Sequence, residues 1–279
     1  MSLKLRTMAL CSIIVTAGAA TSTATGIVDT FEGYPLGSFP GPAWSDVASF
    51  DPQPPVGTLP SAFVVQTSDA FGAPTQALAV REENARVAGI YAPVPVSSTY
   101  SLAADLRVDR FSNDAPAPAS DWAMQLTFAE LQSNFYLTPQ AGIYASSLTG
   151  GWRLFLIDST NTVFDDEDLG LPVTLGSWSR VAFDLDALTG AWHVTIGDVA
   201  TSTTLLDKSG VFANWTASSA LFDSVAFFDG DPDGTVANLA YVDNINVSAT
   251  PVPEPGTLSL LALGGLLGAG RRRSPRADR

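Results

Sequence analysis

Trp178-Ser179-Arg180-Val181-Ala182-Phe183-Asp184-Leu185-Asp186, followed after Leu188-Thr189-Gly190 by Ala191-Trp192-His193-Val194-Thr195-Ile196, decides the fold class. In the first block Val181, Phe183 and Leu185 alternate with Arg180, Ala182, Asp184 and Asp186. In the second, Trp192, Val194 and Ile196 alternate with His193 and Thr195. A period of two sends successive side chains to opposite faces, so both blocks read as half-buried antiparallel strands. Leu188-Thr189-Gly190 supplies the turn that joins them.

The same signal spreads outward. Tyr100, Leu102, Ala104, Leu106 and Val108 alternate with Ser101, Ala103, Asp105, Arg107 and Asp109. Shorter strands are predicted at Ala62–Thr67, Ala77–Val80, Val87–Tyr91, Trp122–Phe128, Gly142–Ala145, Trp152–Ile157, Ser224–Phe228 and Ala240–Val247. Turn clusters such as Asn113-Asp114-Ala115-Pro116 and Leu148-Thr149-Gly150-Gly151 separate them. No stretch carries the 3.6-residue period of a long helix. Many short strands without intervening helices predict an all-β, antiparallel sandwich or jelly roll.

The two ends read differently. Lys4 and Arg6, the apolar run Met8–Val15 and the small residues from Ala17 onward form a secretory signal over residues 1–24. Cys11 lies inside the apolar run, where a lipidated cysteine is not expected. At the other end, residues 251–279 carry Pro253-Glu254-Pro255, an apolar stretch from Leu258 to Ala269, and Arg271-Arg272-Arg273. Thr257–Gly270 as a helix reaches about 21 Å, short of the ~30 Å hydrocarbon core. A transient inner-membrane anchor is therefore expected, rather than a permanent span.

This tail closely resembles the PEP-CTERM sorting signal of Gram-negative bacteria, with its three parts in order between Val252 and about Arg273. The resemblance implies that an exosortase-type membrane peptidase handles the chain and delivers it to the envelope, cell surface or extracellular matrix. The domain between the signals, residues 26–250, resembles concanavalin A-like lectin and laminin-G-like sandwiches. The motifs are the Trp178–Ile196 hairpin, the opening Asp29-Thr30-Phe31-Glu32-Gly33-Tyr34 and the closing Tyr241-Val242-Asp243-Asn244-Ile245-Asn246-Val247.

Composition narrows function. The chain carries 28 acids and 14 bases, and with the signals removed the domain holds 26 acids against 7 bases, a net charge of −19. Such a surface repels nucleic acid and favours cations. The single cysteine leaves with the signal, so the domain has neither a disulfide nor a thiolate metal site.

Asp229, Asp231 and Asp233 alternate through a Gly-containing loop and so point to a Ca²⁺ site, although Ala240 replaces the closing Glu of an EF-hand. The family resemblance implies a second, competing Ca²⁺ site shared by Glu32 and Asp243. Asp165-Asp166-Glu167-Asp168 reads as an exposed acidic loop. Trp44, Trp152 and Trp215 lie near Pro-, Gly- or Asn-rich loops and are the candidates for stacking on sugar rings, whereas Trp178 and Trp192 fit the core.

His193 is the only histidine and faces away from Trp192 and Val194, so it reads as a solvent-face residue. No Gly-x-Ser-x-Gly elbow is present, and the Glu-x-Asp-x-x-Glu signature of laminarinase-type enzymes of this fold is missing. The expected function is that of a non-enzymatic exported envelope or extracellular-matrix protein processed by an exosortase-type system, with extracellular polysaccharide as its candidate ligand. The alternatives are a lectin-like module whose main role is sugar binding and a glycoside hydrolase of the same fold.

Overall fold

The computed structural model describes residues 25–46, 62–81, 88–111, 122–131, 137–157, 163–215, 222–229 and 238–251. Both signals and the Gly230–Gly234 part of the acidic loop lie outside these residues. Among the described residues there are fifteen strands: β1 (Thr25–Asp29), β2 (Ser45–Asp46), β3 (Ala62–Ser68), β4 (Pro74–Arg81), β5 (Ala88–Pro93), β6 (Ser97–Arg110), β7 (Trp122–Leu131), β8 (Leu137–Ser146), β9 (Gly151–Ile157), β10 (Val163–Pro172), β11 (Trp178–Asp186), β12 (Ala191–Asp198), β13 (Thr203–Val211), β14 (Ser224–Asp229) and β15 (Leu239–Pro251).

They form two antiparallel sheets. The first runs β13-β12-β11-β6-β15-β4-β3, with β1 also paired to β15; the second runs β10-β9-β8-β7-β14-β5-β2. Every strand predicted from alternation coincides with or overlaps an observed one. The inward residues of the first sheet, among them Leu102, Leu106, Val181, Phe183, Val194 and Val247, meet Leu126, Phe128, Ile143, Leu154 and Phe227 of the second in one core. Phe128 and Phe183 face each other across the layers with centroids 6.1 Å apart, and Tyr100 lies 4.9 Å from Phe128.

Asp165–Asp168 is not a loop. These acids lie in β10, an edge strand that pairs with β9. Their repulsion is offset from neighbouring strands. Arg153 holds Asp166 at 2.7 Å and Asp168 at 3.8 Å, and Lys208 of β13 binds Glu167. Charge on an edge strand also discourages pairing with another chain.

β15 is the pivot of the first sheet. Along one side it pairs with β6. On the other it pairs with β4 through Val242 and with β1 from Ile245 onward. The changeover falls at Asp243-Asn244, where the register with β6 slips between Asp243 and Asn246 and Asn244 takes φ +50°. A bulge of this kind re-aims the side chains beside it.

Candidate functional site

The bulge turns Asp243 toward the loop that follows β1. Asp29 shapes that loop: one carboxylate oxygen accepts from the Phe31 amide at 2.8 Å, and the other from the Tyr34 hydroxyl at 3.0 Å and Trp44 Nε1 at 2.8 Å. Phe31, buried and at φ +57°, curls the chain so that its carbonyls face β4. There the Gln76 amide, oriented by its hydrogen bonds, donates to the carbonyl oxygens of Phe31 at 2.7 Å, Tyr34 at 3.1 Å and Glu32 at 3.3 Å.

Glu32 and Asp243 meet through Thr75. Its hydroxyl lies 2.7 Å from Glu32 Oε1 and 3.4 Å from Asp243 Oδ2, while the Gln76 amide N–H donates to Glu32 at 2.9 Å. The two carboxyls are pushed in opposite directions. Hydrogen bonds from Thr75 and the Gln76 backbone hold exposed Glu32 below the usual range. Burial pushes Asp243 up to about 7, reinforced by the charges of Asp105 and Glu32 and opposed by the Asn244 N–H. Asp105 is itself buried and satisfied, with Arg180 bound through Nε and Nη2 at 2.7 Å each and Asn244 Nδ2 at 2.8 Å.

Among the described residues no three His, Cys, Asp or Glu side chains group closely enough to hold a metal ion by themselves. Glu32 and Asp243 offer a cation only their carboxylate oxygens, because the carbonyls of Phe31, Glu32 and Tyr34 already accept from the Gln76 side-chain N–H groups. Carboxylate oxygens are donors of the kind Ca²⁺ takes. The competing loop is not comparable: Asp229 ends β14, and Asp231 and Asp233 lie outside the described residues.

The candidate tryptophans do not form a sugar platform. Trp44 and Trp152 are 3% and 2% exposed, so neither presents a ring face to solvent. Trp44 is drawn in by its bond to Asp29, and Trp152 by its place on β9 facing the first sheet. Trp215 is half-buried, stacked on Phe212 at 5.8 Å and pressed against Gly190. An added Cβ at Gly190 would strike its ring.

Among the described residues the aromatic that does face solvent is Phe71, 73% exposed at the tip of the β3–β4 hairpin. It overlooks the outer face of the first sheet. There Asp184 pairs with His193, Ala182 with Thr195, and Arg180 with Gly197 in successive rows of β11 and β12. The imidazole sits between two carboxylates, 2.9 Å from Asp207 and 3.5 Å from Asp184. Its pKa is raised, chiefly by the Asp207 bond. Toward the middle of the second sheet the outward residues are closed off by contrast, with Gln125, Thr127, Tyr144 and Phe155 all buried.

The fold is an antiparallel β-sandwich of two sheets. A protein of unknown function from Shewanella oneidensis MR-1 is similar to it with a TM-score of 0.52 at 11% identity, covering 88% of this chain and 97% of that one. The cellulose-induced protein Cip1 is similar at a TM-score of 0.49 and 13% identity, over 81% and 98% of the two chains. Lectin II from Ulex europaeus gives 0.43 and 10%, over 70% and 95%. No curated protein matches the chain by sequence. Residues 251–274 match the PEP-CTERM protein-sorting motif, which marks the chain as exported, associated with the cell surface and processed by an exosortase.

Proposed function

We propose that this chain is a non-enzymatic sandwich, cut by an exosortase at the envelope of a Gram-negative bacterium, which holds extracellular polysaccharide there. The junction at Pro251 carries this reading. β15 ends at Pro251 and the sorting motif begins at residue 251, so a cut inside the motif leaves the whole sandwich with its last strand intact. In this reading residues 1–24 direct export, and the apolar 258–269 run anchors the chain in the inner membrane only until the cut.

The His193 environment favours binding over catalysis. The Ser101 hydroxyl bonds Asp184 rather than the imidazole, so the serine-to-histidine contact of a nucleophilic site is not made. Glu32 and Asp243 hold a structural Ca²⁺ in this reading, with solvent oxygens completing its shell. The ion ties the changeover in β15 to the first loop and takes part in no reaction.

Protein recovered from its native host should show, by intact mass, loss of an N-terminal segment ending near Ala17–Ala24 and of a C-terminal segment beginning near Pro253. Full-length chain persisting in the inner membrane with Arg271–Arg273 attached would overturn the processing scheme.

A further inference from the structure

The outer face of the first sheet carries an accessible trough. Two grooves, of about 450 and 440 Å³, lie along it, the first reaching His193 and the second Thr195, successive outward positions of β12. The first is lined by Ser101, Asp184, Asp186 and His193; the second by Arg180, Thr195, Gly197 and Phe71. Between Asp186 and Arg180 the strand advances about 20 Å at ~3.3 Å per residue. Ala103 and Ala182, paired across β6 and β11, keep the middle of the floor low.

Phe71 is fixed at one end. Asp69 Oδ1 accepts from the amides of Phe71 at 2.9 Å and Ala73 at 2.7 Å, and Gly72 takes φ +82° to close the turn. An apolar ring held in water by a rigid turn offers a face to the C–H side of a sugar ring. Serine and threonine hydroxyls along the trough provide donors and acceptors for sugar hydroxyls.

Charge identifies the class of sugar. At the far end Asp184 and Asp207 are 52% and 68% exposed, with Asp186 in the next row and one imidazole between the first two. Arg180, at the Phe71 end, is matched by its two bonds to Asp105. The trough is therefore anionic on a domain of net charge −19.

We propose that this trough binds a polysaccharide whose sugars carry free, protonated amines. The proposal rests on the polysaccharide reading above and specifies its ligand. A basic peptide fits less well. The floor of the trough is formed by β6, β11 and β12, interior strands whose backbones are already paired on both sides, and it reaches the edge strand β13 only at one margin, so a peptide lying along the floor cannot add as a strand. A flat sugar ribbon needs no backbone partner. Its amines meet Asp184 and Asp207 while a ring rests on Phe71.

Titration calorimetry of the purified chain, in low salt at about pH 6 where an amine of ordinary pKa is protonated, tests this with three probes. These are a glucosamine hexamer, its N-acetylated counterpart and an oligolysine of equal charge. The glucosamine hexamer should bind at least ~10-fold more tightly than the acetylated one, as expected for charge-assisted contacts. Asp184→Asn and Asp207→Asn should each weaken it about 5-fold, and Phe71→Ala about 10-fold, with unchanged circular dichroism. Equal binding of both hexamers, tighter binding of oligolysine, or indifference to all three substitutions would overturn the proposal. Binding of the acetylated hexamer alone would do so while leaving the polysaccharide reading intact. If neither hexamer binds, this inference is refuted, and a wider panel of neutral and acidic glycans then decides the broader reading.

Discussion

Gly142→Ala should lower the melting temperature by about 10 °C, the largest loss expected from any single methyl group considered in this domain. Gly142 lies on β8, an interior strand of the second sheet, opposite Thr127 of β7 and Phe155 of β9. A Cβ there would collide with the Leu126 carbonyl oxygen and come within 2.8 Å of Thr127 Cα. Both obstacles are backbone, so relief requires parting β7 from β8 in mid-ladder. Overpacking of this sort costs roughly 3 kcal/mol, and in a domain of this size each kcal/mol moves the midpoint by ~2–4 °C. Gly33→Ala is the matching control: nothing lies within 4 Å of the added carbon. It should shift the midpoint by less than about 2 °C, as ordinary surface substitutions do. Calorimetric scans in which the two variants coincide would contradict the tight approach of β7 and β8.

The second large effect concerns Asp243. In chelator, stability should fall as pH rises through about 7, the folded-state value of this carboxyl. The unfolded chain releases the same proton near its ordinary value of 3.8. The folded form therefore binds the extra proton between the two values. Its contribution is complete below the unfolded pKa and is lost as pH climbs through the folded one. Between about pH 5 and 8 the loss should amount to about 2 kcal/mol. Millimolar Ca²⁺ should abolish the decline, because the cation favours the carboxylate that burial disfavours. Asp243→Asn should flatten the pH profile and remove the response to Ca²⁺. Denaturant titrations at about pH 5 and 8, with chelator and with Ca²⁺, read both effects. Identical midpoints in all four conditions would mean that neither proton nor cation is held there.

Alternation made the central strands legible. β6, β11 and β12 bury one face against the second sheet and wet the other, which is the condition that writes a period of two into sequence. β10 was hidden because its acids resemble a solvated loop, and their partners Arg153 and Lys208 come from other strands. β13 was hidden because an edge strand has weaker reasons to alternate. Glu32 and Asp243 were legible through family resemblance, but Thr75 and Gln76, which join the loop to the last strand, carry no local signal. Trp44 misled because a Pro-rich neighbourhood suggests exposure, whereas Asp29, fifteen residues earlier, draws its indole nitrogen inward. Phe71 was overlooked in a turn, although Asp69 before it and Gly72 after it are the residues that hold such a tip rigid.

The position of β15 also sets the order in which an exported chain acquires its structure. A polypeptide that emerges N-terminus first exposes β1, β3, β4, β6, β11, β12 and β13 before β15, the strand that joins them into one sheet. Until residues 239–251 arrive, the first sheet exists as separate pieces, with β3 and β4 on one side, β6, β11, β12 and β13 on the other and β1 alone. Loop closure between β1 and β15 spans almost the whole domain and comes at the end. The residues that complete the sheet are thus followed at once by the sorting motif. Completion of the fold and emergence of the motif fall together, and a cut made before β15 has paired would release a half-built sheet with open edges.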